Sequence, residues 1–156
     1  MKPAQFLYVF GLSFLLGCQS SLTQDKPARP YAPETEYFLK YLSSLDIEVP
    51  PSGHLIYFLF SESACWGCVQ RIFLNKMDGS ERFIMTRSTA NRLSLSDDFP
   101  AGVVIFDDPD RINRIKFHGG NVGAVIVRNR AIDTIVVIEP VKMAAQLDFI
   151  YHFIQQ

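Results

Sequence analysis

The run His54-Leu55-Ile56-Tyr57-Phe58-Leu59-Phe60 most restricts what this chain can become. It has strand length and lacks the apolar–polar alternation of a sheet with one wet face. It therefore reads as a central strand covered on both sides. Double cover needs helices above and below, and the flanking sequence has helical spacing. Tyr37, Phe38, Tyr41, Leu42 and Leu45 recur every three or four residues and predict a helix over 34–45. Val49-Pro50-Pro51-Ser52-Gly53 stops it. Val69, Ile72, Phe73 and Lys76-Met77 predict a helix that starts at Cys65 and ends near Asp78-Gly79. Further strands are expected over 83–86 and 102–106, with a short helix over 90–96 between them. Asp107-Asp108-Pro109-Asp110 places acids and a proline in the first turn of a helix running through Phe117, closed by Gly119-Gly120-Asn121. Strands over 122–127 and 132–138 flank Arg128-Asn129-Arg130 as a hairpin. Pro140 opens a last helix with Met143, Leu147, Ile150, Tyr151 and Ile154 on one face. Alternating elements with long crossovers predict an α/β fold, a mixed central sheet with helices on both faces.

The N-terminus is read apart from that fold. Lys2 precedes the apolar run Phe6–Leu16, and Gly17-Cys18 follows before the chain turns polar. This is the layout of a secretory signal over 1–17, and the run is shorter than the ~20 residues a membrane-spanning helix needs. Leu15-Leu16-Gly17-Cys18 resembles the lipobox of bacterial lipoproteins. That resemblance implies cleavage before Cys18 and lipid attachment at Cys18, so that the chain is tethered rather than spanning. Several acyl chains would hold it where one alone is marginal. Residues 18–33, with Pro27, Pro30 and Pro33, read as an extended spacer, and 34–156 as one domain. An ordinary cleaved signal with an incidental cysteine and an uncleaved anchor are the alternatives.

Charge narrows the partners. Without residues 1–17 the chain keeps 14 basic against 16 acidic side chains, since only Lys2 is lost. A net −2 gives no electrostatic reason to propose a nucleic acid and argues against strong attraction to anionic lipid. Thirteen phenylalanines are core material before they are a binding surface.

The chemistry concentrates at Cys65-Trp66-Gly67-Cys68. A free thiol ionises at about 8.5, and a helix N-terminus lowers that value. Such an end contributes at most roughly 2 kcal/mol, about one and a half pKa units, which would bring Cys65 near neutral. With two residues between them the sulfurs share one turn, so Cys68 can resolve a mixed disulfide formed at Cys65. Three other uses stay open: a structural staple, which across so small a loop constrains the unfolded chain little; a metal site, for which His54, His118 and His152 are scattered; and no role at all. His118 reads as a helix-end residue rather than a ligand or base. Glu62 reads as a solvated turn position.

In this setting the chain from about Gly53 onward resembles the thioredoxin-like superfamily, closest to the membrane-tethered TlpA/ResA-type thiol–disulfide oxidoreductases. The strand His54–Phe60 running into the cysteine pair, the Phe106-to-Asp110 strand-to-helix segment and the hairpin before a final helix carry the likeness. The resemblance implies a thioredoxin-like fold, Cys65 as attacking and Cys68 as resolving thiol, and possible substrate contacts at Trp66, Val122 and Gly123. It implies no cofactor. The partners would be exported protein thiols or disulfides and a redox partner, and the location the cell envelope, periplasmic or surface-facing. Three positions depart from the family: Ala64 stands where a Trp usually precedes the first cysteine, no proline stands at Val122-Gly123, and Leu59 replaces a buried carboxylate. A metal-binding or metal-delivery module using Cys65 and Cys68, and a thioredoxin-fold binding protein without turnover, are the alternatives.

Overall fold

A computed structural model describes residues 30–74, 79–95 and 102–155. The expected signal, Cys18 with its expected lipid, most of the spacer, and the helix end expected at Lys76-Met77-Asp78 lie outside the described residues.

The apolar run forms β1 (His54–Phe60), the middle strand of a five-stranded mixed sheet. In chain order the other elements are α1 (Ala32–Ser43), α2 (Trp66–Leu74), β2 (Glu81–Met85), α3 (Arg87–Arg92), β3 (Val104–Phe106) and α4 (Pro109–Arg114). A 3-10 turn (Lys116–His118), β4 (Val122–Arg128), β5 (Ala131–Ile138) and α5 (Met143–Ile154) follow. The strands lie in the order β3-β2-β1-β4-β5. β1 runs parallel to β2 and β2 to β3, whereas β4 is antiparallel to both β1 and β5. The mixed sheet with helices on both faces is thus what the double-covered run requires.

Side chains of β1 alternate between two cores. Ile56, Phe58 and Phe60 join Val69, Ile72 and Phe73 of α2 and Leu147 and Ile150 of α5. Tyr57 and Leu59 join Phe38, Tyr41 and Leu42 of α1 with Ile112 and Ile115. Burying each such side chain contributes about 1.5–3 kcal/mol, so β1 is anchored from both sides. Phe83 adds an aromatic stack, its centroid 5.7 Å from Phe58, 6.1 Å from Phe60 and 4.8 Å from Phe73.

β2 starts two residues before and β3 two residues after the sequence expectation, and four further boundaries differ for local reasons. α1 starts at Ala32, because Pro33 fits a helix's first turn and belongs to it rather than to the spacer. α3 starts at Arg87, because Thr86 is its N-cap: the Thr86 hydroxyl accepts from the Thr89 N–H at 3.1 Å. The helix expected through Phe117 stops at Arg114, where Ile115 turns extended, and resumes only as the 3-10 turn. Pro140 precedes α5 in a turn rather than opening it. Gln146 ties that turn down, donating to Val137 O and accepting from the Glu139 N–H, both at 2.8 Å.

Candidate functional site

β1 ends at Phe60, and a tight turn follows in which the Ala64 N–H donates to Ser61 O at 3.1 Å. Cys65 then occupies the N-cap position of α2. Its carbonyl accepts from the N–H groups of Cys68 (2.9 Å) and Val69 (3.0 Å), so the helix begins at Trp66. Its sulfur does what a Ser or Asp oxygen does at an N-cap, accepting from the N–H of Gly67 and sharing that of Cys68 with its own carbonyl. Cys65 is half-buried and Cys68, one turn on, is 2% exposed; both are free thiols.

The two sulfurs are electrostatically unlike. The Cys68 S–H donates to the Cys65 sulfur, and this bond is the leading reason that the Cys65 thiol is pulled below its ordinary 9.0. The Cys68 N–H pulls the same way more weakly, and the N–H of Gly67 adds least. Cys68 is pushed up to about 11, first by burial, then by the bond it donates and by the charge on Cys65. An accessible thiol primed to ionise thus sits against a buried one held protonated. No family model, curated protein or solved structure matches the chain.

The remaining sequence-predicted residues fall into place around the pair. Trp66 is half-buried, with the Arg92 guanidinium 4.4 Å above its ring, so α3 covers part of the surface expected to meet a partner. Val122 is fully buried in the same core as Cys68 and pairs with Phe60, so its side chain offers a partner no surface. Gly123 has no room for one: a Cβ there would lie 2.6 Å from Phe117 O. The segment that does lie against the cysteine loop is 119–121. The Ser63 hydroxyl donates to Gly120 O at 2.7 Å. That of Ser61 lies 2.9 Å from Gly120 O and 3.0 Å from Asn121 O.

His118 is buried rather than displayed at a helix end. Its Nδ1 accepts the Gly120 N–H at 2.9 Å and its Nε2 faces Ile112 O at 3.0 Å. His152 Nδ1 lies 2.9 Å from Asp148 O. Among the described residues no group of three or more His, Cys, Asp or Glu side chains is placed to hold a metal ion. Nor, among them, is any helix long and apolar enough to cross a membrane.

Sequence reasoning missed Asp107. Read as part of a helix cap, it is instead a buried carboxylate bonded to the Tyr41 hydroxyl (2.7 Å), Arg111 Nε (2.8 Å) and the Asp108 N–H (2.7 Å). Burial, then the bond to Asp107, pushes the Tyr41 hydroxyl far above the usual phenol range. The true cap is Asp108, which accepts from the Asp110 N–H. Asp107 lines a cleft of about 530 Å³ with Glu62, Thr86, Arg87 and Phe106, at the carboxyl ends of the parallel strands and beside the cysteine loop. Ligands of open α/β sheets bind at such ends. A larger hollow, about 580 Å³, lies elsewhere, walled by Tyr31, Tyr37, Phe117 and Val137. Neither Cys65 nor Cys68 lines it.

Proposed function

We propose that this chain is a thioredoxin-like thiol–disulfide oxidoreductase of the bacterial cell envelope, tethered through lipid on Cys18 and exchanging disulfides with exported proteins. The observation that carries the reading is the inequality of the two thiols. Cys65 is reachable and drawn toward thiolate, and Cys68 lies within hydrogen-bond reach but is buried and protonated. The element order from β1 onward supports the fold: parallel β1–α2–β2, then the β4–β5 hairpin and a final helix packed over the same face as α2. The lipid tether rests on the sequence around Cys18.

The exchange runs in two displacements. The Cys65 thiolate attacks one sulfur of a partner disulfide, forming a mixed disulfide and expelling the partner's other sulfur as a thiolate, which takes a proton from solvent. Consuming Cys65 removes the charge and the hydrogen bond that help hold the Cys68 proton in place. Cys68 then ionises more readily, attacks Cys65 and frees the partner as a dithiol, leaving a Cys65–Cys68 disulfide. Two electrons pass to the partner, and a reductant of the dithiol class restores the pair. The reverse sequence oxidises a partner.

The decisive experiment is capture. In Cys68→Ser, mixed disulfides with exported proteins should accumulate on non-reducing gels; in Cys65→Ser they should vanish. A wild-type protein that reduces no insulin disulfide, paired with a Cys68→Ser variant that captures nothing, would remove the reading. In the same cells, Cys18→Ser should move the protein from the membrane fraction to the soluble one.

A further inference from the structure

The loop that delivers Cys65 has little of its own to hold it. Ser61, Glu62, Ser63 and Ala64 include no large apolar side chain, so polar contacts set its place. Those contacts converge on two adjacent residues: both serine hydroxyls reach the Gly120 carbonyl, and the Ser61 hydroxyl and N–H also reach the Asn121 carbonyl. Gly120 in turn sits in a Gly-Gly turn with both φ angles positive, +53° and +80°. The Asn121 N–H closes this turn on the His118 carbonyl at 2.7 Å, and the Gly120 peptide inside it needs a second hold. The His118 ring supplies it. The Gly120 N–H is a donor, so Nδ1 must accept; Nε2 then carries the hydrogen and gives it to the Ile112 carbonyl in α4. The ring is a strut, 5% exposed, between α4 and the glycine that the serines grip.

We propose that His118 is a positioning residue for Cys65, acting through Gly120, Ser61 and Ser63 without touching the reacting sulfur. The idea rests on the thiol-exchange reading for its purpose, but it is measured on the thiol itself. When the strut is broken, the Gly120 peptide turns away, Ser63 loses its acceptor and Ser61 keeps only Asn121 O, and the loop drifts, so Cys65 no longer lines up with the donors at the head of α2.

Two substitutions separate the strut from mere core filling. His118→Asn puts a carbonyl oxygen near the place of Nδ1 and can keep the Gly120 bond while giving up Ile112. His118→Gln reaches the place of Nε2, keeping Ile112 and orphaning the Gly120 N–H. The readout is the pH profile of iodoacetamide alkylation at Cys65, followed by peptide mass in the full-length reduced protein, with thermal unfolding run alongside. The Asn variant should keep the wild-type profile. In the Gln variant alkylation at pH 7 should fall by about three- to tenfold, a shift of half to one pKa unit. Ser61→Ala with Ser63→Ala should fall similarly, and adding His118→Gln to that pair should cost nothing more. An unchanged profile in the Gln variant, or equal losses in Asn and Gln that follow their loss of stability, overturns the proposal. Loss of insulin reduction in the wild type with these profiles as expected would instead sink the exchange reading and leave the strut standing.

Discussion

Cys65 and Cys68 differ by one turn of helix and by opposite shifts of their thiols, and the cause is more local than spacing suggests. The sequence argument assigns the acidity of Cys65 to the helix end. In the structure the first cause is the proton of Cys68, and the N–H groups of the helix come second. This separates two substitutions that otherwise look alike. Cys68→Ala removes the donor, whereas Cys68→Ser keeps a hydroxyl able to donate. Alkylation of Cys65 at pH 7 should therefore slow in Cys68→Ala by about three- to tenfold, while Cys68→Ser stays closer to wild type. Equal rates would mean that the backbone N–H groups do the work alone. The place of the pair was legible because an apolar strand, a short polar turn and helical spacing after it put both cysteines at the start of a helix. The partner of Gly120 was not: the bonds from Ser61 and Ser63 join residues 57–60 positions apart, and no local pattern announces them.

At the scale of elements, what could be read followed from burial. β1 was plain because both its faces are covered and every second residue serves a different core. α3 was placed late because Thr86 looks like a strand residue until its hydroxyl is seen capping the helix. Thr86→Ala should cost about 1 kcal/mol in urea unfolding, within the usual range for a lost cap. A cost near zero would show that packing of Ala90 alone holds α3. The break at Ile115 was hidden because the apolar spacing Ile112, Ile115 continues through it. It matters because it swings the 3-10 turn against β4, where Gly123 passes the Phe117 carbonyl too closely for a side chain. Gly123→Ala should destabilise by about 1–3 kcal/mol, as overpacking does, with the midpoint shifted and the denaturant slope unchanged. An unshifted midpoint would place the strand and turn farther apart than they stand here.

For the whole molecule, the cysteine pair joins the redox state to folding stability through its protons. The Cys65 thiol ionises below 9.0 in the folded reduced protein and near 9.0 when unfolded. For an acid whose folded value is depressed, the stabilisation is complete above the unfolded value and is lost as pH falls through the folded one. Cys68 is opposite: its folded value, about 11, lies above its ordinary 9.0, so it withholds stability as pH rises from about 9 to about 11. The reduced protein should thus gain stability from neutral pH up to about 9 and lose it again beyond. The oxidised protein has neither thiol to titrate, so the difference between the two forms should trace an arch with its crest near pH 9. Urea unfolding of both forms at pH 6, 7, 8, 9 and 10.5 measures this directly. The comparison cancels Tyr41, Tyr57 and Tyr151, whose shifted hydroxyls are present in both forms. The same arch bears on direction of exchange. Whatever stabilises the reduced fold over the oxidised one raises the reduction potential, by about 30 mV for each 1.4 kcal/mol, so the pair should become a better oxidant as pH approaches the crest, relative to a dithiol without shifted thiols. A flat difference across this range would mean that the two sulfurs titrate as they do in an unfolded chain.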